Sequence, residues 1–283
     1  MELAPEAAAK AVVYAAVLLA IGASATRWLV APRALAGEDA RRLEPALAAL
    51  AGYAAAAMLA AQSVRAVTHT AAAFGWRDAL AWDQLSVIAF QSRWGGGWRL
   101  QVGAAAFLLA ATSVVHLHRS TGWVLSATGA VTCAASMPLL GHAASNPLGP
   151  VLHTAHVLGA GLWLGTLGCV LLIRREAAGE LLRHFAPIAL TGASIAAAAG
   201  AISAVQYLGS PANLWATAYG RALGVKLAIV AAVLCCGYLN WRRWSASPTE
   251  PTAEGSVRLP ILEALLGVAI VLATSVLTEL AQP

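Results

Sequence analysis

The chain has 283 residues, of which 59% are hydrophobic and only 11% are charged. Soluble domains carry about 25% charged residues because water must be satisfied over their whole surface. This composition therefore excludes a soluble domain and predicts a membrane protein. The net charge of +5 comes from basic residues spread singly or in pairs, a distribution that favours membrane topology and anionic headgroups over nucleic acid.

Apolar stretches long enough to cross a bilayer recur along the whole chain. A stretch of about 20 residues spans a hydrocarbon core about 30 Å thick. Eight such stretches run near residues 10–30, 46–65, 99–117, 122–141, 152–173, 185–208, 218–240 and 260–280. The sequence thus predicts an all-α, polytopic helix bundle, with residues 1–283 as a single transmembrane domain. Glu2 and Glu6 precede the first stretch, which favours a retained first helix over a cleaved signal peptide.

Eight spans place both termini on one side of the membrane, and the short loops indicate which side. The loops 174–183 and 241–258 carry three arginines each, whereas residues 142–151 include no Lys or Arg. Cytoplasmic loops are enriched in Lys and Arg. Both termini are therefore expected to be extracytoplasmic.

Residues 66–98 form the one long connection between stretches, on the side expected to face outward. Apolar residues recur in it at helical spacing, opposite polar ones. This pattern predicts a short amphipathic helix that lies in the interface or covers the bundle. The apolar residues are Leu80, Ala81, Leu85, Ile88 and Ala89, and the polar residues are Asp83, Gln84 and Gln91.

Histidines cluster at the outer end of the predicted bundle. His142 ends the fourth stretch, and His153 and His156 open the fifth. Residues three apart share a helix face, so His153 and His156 should point the same way, with His142 within reach. Three converging imidazoles suit a borderline transition metal, and Trp163, seven residues after His156, would wall the site from below. The alternative is that these histidines are interfacial and bind water and carbonyl groups.

Sulfur-bearing side chains continue from this cluster into the bundle. Cys133 and Met137 are four residues apart and therefore share a helix face below His142. Sulfur together with imidazole favours copper, particularly Cu(I), over magnesium or calcium. Another cofactor stays open, because two histidines from different helices, drawn from His69, His142 and His156, would suit a b-type haem.

Ionisable residues inside the last two stretches are costly in hydrocarbon and are expected to pair or to face the bundle interior. Lys226 lies about two turns inside the seventh stretch, and Glu279 is its expected partner. Glu263 lies about one turn inside the eighth stretch, where Arg242 or Arg243 is the expected partner. A coupling or gating role is the alternative to a structural ion pair.

Signatures of enzymes are missing from the sequence. It has no Walker glycine loop, no paired carboxylates at useful spacing and no nucleophile elbow, so we expect no enzymatic activity. The four cysteines all fall within apolar stretches. That placement favours small packing residues over a disulfide framework.

Several short motifs, in the same order along the chain, resemble those of the copper resistance protein D (CopD) family. The resemblance is strongest over residues 138–283 and weaker over 1–137. Two features depart from the family pattern: His153 stands where many relatives carry an acidic residue, and the chain has few methionines. The motifs are Gly141–Ala143, His156–Gly165, Tyr219–Arg221 with Lys226 and Leu227, Asn240, Leu262–Gly267 and, in the weaker half, Trp94–Arg99.

The resemblance implies a protein of copper handling in the bacterial inner membrane, with His142 and His156 as functional residues. The first function to expect is therefore copper binding with transport or hand-over of the ion. Two alternatives are a bis-histidine membrane cytochrome and a non-transporting assembly partner of a periplasmic copper chaperone.

Overall fold

The computed structural model describes residues 3–140, 147–173, 178–246 and 258–282, and within these ranges the chain is helical apart from short turns. Eight helices of the described chain are long and apolar enough to cross a membrane. This confirms the predicted all-α, multi-pass bundle. In chain order they are α1 (Leu3–Ala25), α2 (Glu44–Phe74), α3 (Arg93–Leu117), α4 (Arg119–Ser136), α5 (Gly149–Ile173), α6 (Ala178–Leu208), α7 (Ala218–Ala246) and α8 (Arg258–Leu277).

Shorter segments extend or join these helices. After α1 come a π-helical turn at Thr26–Val30 and a last turn at Ala31–Ala34. A helix at Gly37–Arg42 precedes α2, a 3-10 turn at Met137–Leu140 follows α4, and a helix at Asn213–Ala216 precedes α7. Within α5, the residues Gly161–Gly165 form a π-helical turn.

The second helix is longer than the sequence predicted, and the expected start of the connection at residue 66 was wrong. α2 continues to Phe74, and Thr70 and Ala71 are buried in its last turns. No proline or glycine lies between residue 65 and Gly75, which adopts a φ of +90°. Glycine adopts such a backbone without the steric cost that a Cβ brings, so the helix ends there.

The remaining connection, residues 75–92, contains a short helix in the region where the spacing of apolar residues predicted one. A helix at Trp82–Ser86 runs into a π-helical turn at Val87–Gln91. Ile88 and Ala89 are buried, whereas Leu80 is 75% exposed. The bundle therefore covers only part of the apolar face, and a position at the membrane interface remains a prediction.

α1 lies at the centre of the bundle and contacts α2, α4, α5 and α8. Glycines make the closest of these contacts. Gly22 of α1 lies against Gly165 of α5, and a Cβ on either residue would overlap backbone atoms of the other helix. A Cβ on Gly161 would lie 2.7 Å from side-chain carbons of Ile21. Lipid provides no hydrophobic force between helices, so close backbone packing of this kind holds α1 against α5.

The bundle is packed unevenly around this centre. In each of α1, α4 and α5, half of the residues in the most apolar segment are buried within the protein. The buried share of the corresponding segment is only 17% in α6, 17% in α7 and 22% in α8. α6 packs mainly on α5, and α7 packs mainly on α8. The last three helices therefore present most of their surface outward, and the two large cavities described below border them.

A buried carboxylate joins three helical segments at the end of the bundle opposite to His153. Glu44, at the start of α2, is 4% exposed. It pairs with Arg27 and Arg119 and accepts a hydrogen bond from Trp123 Nε1 at 3.2 Å. Because a buried ion pair is stabilising only when its remaining polar atoms also have partners, the indole donor completes the cluster.

Candidate functional site: a histidine-lined cavity

A cavity of about 570 Å³ opens at the end of the bundle where α5 begins, and we call it the histidine cavity. Seven of the long helices, all but α4, and the 3-10 turn that follows α4 contribute to its wall. Antiparallel packing brings the starts of the odd-numbered helices and the ends of the even-numbered ones to this side. The polar wall residues are Lys10, Tyr14, Arg65, Gln101, His153, His156, Ser203, Tyr207, Tyr219, Lys226, Thr274, Thr278, Glu279 and Gln282.

His156 is oriented so that one ring nitrogen remains available. Its Nδ1 lies 2.7 Å from the carbonyl oxygen of Ala196 on α6. A carbonyl only accepts, so Nδ1 carries the proton and Nε2 keeps its lone pair. Gly200, one turn further along α6, leaves the room that the ring occupies. Metal-binding histidines are commonly held this way, by a hydrogen bond from the nitrogen that does not bind the metal.

His153 and Met137 share the cavity wall with His156. The first turns of α5 place His153 and His156 on one face, as their spacing predicted. Met137 reaches the same wall because α4 ends at Ser136 and the chain tightens into a 3-10 turn over Met137–Leu140. Two imidazoles and a thioether, all uncharged when they bind a metal, thus face a common space.

Two other members of the predicted metal site are not among the residues described for this wall. His142 lies outside the described residues, so its predicted convergence with His153 and His156 stays a prediction. Cys133 is fully buried and packs with Met58 and Leu108 in the core between α1, α2, α3 and α4. Its side chain is in the core rather than at the cavity.

His69 is near the same end of the bundle but belongs to a different cluster. Its ring stacks on Trp94, with ring centroids 4.1 Å apart and planes 14° from parallel. The Arg65 guanidinium lies over the same Trp94 ring, with its central carbon 5.9 Å from the ring centre. The ring contact on α3 gives His69 a packing role, and His69 does not line the histidine cavity.

Within the described ranges, no group of three or more His, Cys, Asp or Glu side chains is placed to hold a metal ion. The pair that faces the cavity, His153 and His156, comes from a single helix. A bis-histidine haem requires ligands on both sides of the iron, which one face of one helix does not supply. The described geometry thus offers a two-imidazole site with Met137 as a neighbour.

The predicted pair between Lys226 and Glu279 does not form. Glu279, just past the end of α8, pairs with Lys10 of α1 instead. The reason is tertiary, since α1 packs directly against α8 and places Lys10 beside the carboxylate. Lys226 lines the histidine cavity together with His153 and His156 instead.

A second ion pair and a chain of amides complete this end of the bundle. Arg65 Nε donates to Glu6 Oε1 at 2.8 Å, and Thr68 Oγ1 donates to the other carboxylate oxygen at 2.7 Å. Arg65 also reaches Gln101 Oε1 at 3.5 Å, and Gln101 is hydrogen-bonded to Gln62. The network connects α1, α2 and α3 beneath the cavity.

A second cavity of about 630 Å³ is lined by residues of α5, α6, α7 and α8. Trp163 and Glu263 line it, together with residues of α6 and α7. Trp163 Nε1 donates to Glu263 Oε1 at 2.9 Å, and Glu263 is 3% exposed. The predicted partner Arg242 is thus replaced by an indole, while the side chain of Arg243 lies outside the described residues.

Trp163, which was predicted to wall the histidine site from below, lines the second cavity and is not among the lining residues of the histidine cavity. Seven residues correspond to two turns of a regular α-helix, which would place Trp163 on the face of His156. Trp163 lies instead within the π-helical turn at Gly161–Gly165. A π-turn contains more residues per turn than an α-helix, so side chains past its start rotate away from that face.

Sequence reasoning missed several polar residues of the cavity. Gln62, Arg65 and Gln101 are buried in apolar helices, and Tyr207 and Tyr219 line the wall. The available signal was the polarity of these residues within apolar stretches, because intramembrane polar groups usually face the bundle interior. Arg65 was the last residue of the second predicted stretch.

Comparison with known proteins places most of the chain in one family. Residues 1–149 match the family model described as "Copper resistance protein D-like, N-terminal domain", and residues 179–277 match "Copper resistance protein D". The "Copper transport protein CutJ" of Bacillus subtilis (strain 168) is 26% identical over 233 residues, which are 76% of this chain. The chain spans 42% of the length of that relative. No solved structure matches the chain.

Proposed function

Because the chain belongs to the copper resistance protein D family, we propose that it binds copper in the histidine cavity and transports the ion, or hands it over, at the bacterial inner membrane. The observation that carries this proposal is the orientation of His156. Its Nδ1 donates to the Ala196 carbonyl, which leaves Nε2 free to bind a metal in a cavity that His153 and Met137 also line.

The chemistry of these ligands favours Cu(I). Thioether and imidazole are ligands that copper accepts well, whereas magnesium and calcium require oxygen ligands. His142, at the end of the fourth predicted stretch, is the candidate for a further ligand. Loss of one ligand from so small a set would leave too few donors to retain the ion.

The cavity is proposed to open towards the periplasm. Residues 174–183 and 241–258 carry three arginines each and include the connections from α5 to α6 and from α7 to α8. The cavity is lined by the opposite ends of these four helices. Cytoplasmic loops are enriched in basic residues, so the opposite end would receive copper from outside. Both chain termini would then also be periplasmic.

Transport across the bundle requires helix movement, for which α6, α7 and α8 are the candidates. They have the smallest buried shares among the long helices, and loosely packed elements move at the lowest free-energy cost. The Trp163–Glu263 hydrogen bond joins α5 to α8 at the second cavity. We propose that this contact closes the path on the cytoplasmic side.

A relative named as a copper transport protein supports transport over storage. Hand-over to or from a periplasmic copper chaperone is the second part of the proposal. The cavity mouth would be the place of contact, because a carried ion must reach His153 and His156 without entering lipid.

Copper stoichiometry of the purified full-length protein tests the proposal. Wild type should bind Cu(I) at neutral pH, and His156→Ala should lose most of this binding. His116→Ala is a matched control, because His116 is exposed near the opposite end of α3. Unchanged helical content by circular dichroism would show that each variant is folded.

Two results would reject the proposal. Equal copper occupancy in wild type and His156→Ala would mean that the histidine cavity is not the site. A purified protein with a Soret absorption band that disappears in His156→Ala would identify a haem protein instead.

A further inference from the structure

The charges that line the histidine cavity cancel in pairs, with one exception. Lys10 pairs with Glu279, and Arg65 pairs with Glu6. Lys226 is the remaining charged residue of the described wall. Within residues 3–140, 147–173, 178–246 and 258–282, no carboxylate forms an ion pair with Lys226. An ammonium inside an apolar span is costly without a counter-charge, so its position is suited to an anion.

Lys226 also lines the same cavity as the proposed copper ligands His153 and His156. Imidazole binds a metal only in its neutral form, and the thioether of Met137 is neutral as well. A Cu(I) ion held by these ligands would keep its full positive charge. The neighbouring ammonium would repel it more strongly than in water, because the surroundings are mostly protein.

We infer that the histidine cavity binds copper together with a small anion of the halide class, which ligates the metal and contacts the Lys226 ammonium. This inference rests on the proposed copper function and adds a ligand to the same site. A bound metal ion must be counted among the charges of its site, so Cu(I) and the Lys226 ammonium would bring two positive charges together. The anion supplies a negative charge between them. Tyr207 and Tyr219 line the same wall, and their hydroxyl groups can donate to an anion.

Copper and halide should then bind cooperatively. Coupling between two bound ligands typically changes affinity by about 5- to 150-fold. We expect the Cu(I) affinity of wild type to decrease by a factor within that range when chloride is replaced by perchlorate, because perchlorate ligates metals poorly. Lys226→Met removes the ammonium, so its copper affinity should be independent of the halide.

X-ray absorption at the copper edge, with bromide as the probe, tests the contact directly. The sample is the purified full-length protein loaded with Cu(I) in bromide buffer. Wild type should show nitrogen neighbours and one bromine neighbour of copper. Lys226→Arg, which keeps the charge, should retain the bromine signal. Lys226→Met and Lys226→Gln should lose it and keep the nitrogen neighbours.

Several outcomes would overturn the inference. Nitrogen neighbours without bromine in wild type would overturn it and leave the copper function intact. Bromine that persists in both Lys226→Met and Lys226→Gln would show that the metal binds halide without help from the lysine. Release of one proton on copper binding to wild type in perchlorate, at undiminished affinity, would show that Lys226 loses its charge instead. Failure of wild type to bind copper in any buffer would reject the proposed function along with the inference.

Discussion

Gly200→Ala is expected to weaken copper binding without touching a ligand. A Cβ on Gly200 would lie 3.0 Å from both Nδ1 and Cε1 of His156. Ordinary contacts of this kind are longer, so the imidazole must move by a few tenths of an ångström. That movement disturbs the 2.7 Å hydrogen bond from Nδ1 to the Ala196 carbonyl, which fixes the orientation of the ring.

The size of the effect follows from the role of that hydrogen bond. Loss of a partner that orients a metal-binding histidine typically costs about 10- to 100-fold in metal affinity. We expect Gly200→Ala to fall in this range. Its overall stability should hold, because alanine is favoured over glycine within a helix by about 1 kcal/mol.

The assay is Cu(I) affinity by competition with a chelator, with thermal unfolding measured in parallel. Gly103→Ala is the matched control, since a Cβ on Gly103 of α3 would meet no atom within 4 Å. It should keep wild-type copper affinity. Wild-type affinity in folded Gly200→Ala would refute the assignment of His156 as an oriented ligand.

Three further predictions concern the rest of the bundle. Glu44→Gln leaves two arginines without their shared carboxylate, so it should destabilise the protein by about 3–5 kcal/mol in detergent unfolding. The control Glu38→Gln changes an exposed ion pair and should cost less than about 1 kcal/mol. Equal effects of the two substitutions would contradict the buried cluster. Trp163→Phe removes the donor to Glu263 and should cost about 1–3 kcal/mol, and no loss of stability would show that this hydrogen bond is not needed. Reporter fusions after the last residue should be active only in the periplasm, and cytoplasmic activity alone would reverse the proposed orientation.

The number of spans and the fold class could be predicted from the sequence because they depend on local composition. A bilayer requires long apolar helices and makes charged residues costly within them. The eight stretches therefore stand out without knowledge of any contact between them. The pairing of His153 with His156 was likewise predictable, since residues three apart share a helix face whatever surrounds them.

Details that depend on the local backbone were predicted less well. The second predicted stretch ended at residue 65, and the connection was expected to begin at residue 66. In the structure Arg65 is 4% exposed and pairs with Glu6, so the polar side chain is compensated and the helix continues. Trp163 was placed from regular α-helical geometry, which the π-helical turn at Gly161–Gly165 interrupts.

The sequence by itself thus determined a multi-pass helical bundle with an imidazole pair at one end, whereas the tertiary structure decided which charges meet. Lys10 and Glu279, like Trp163 and Glu263, are far apart along the chain. Their pairing depends on which helices pack together, and α1 takes the central position because glycines let it approach α5 closely. Hydropathy reports how much each segment favours lipid but carries no information about its neighbours. Only the packed bundle therefore shows that Lys226 faces the histidine cavity rather than Glu279.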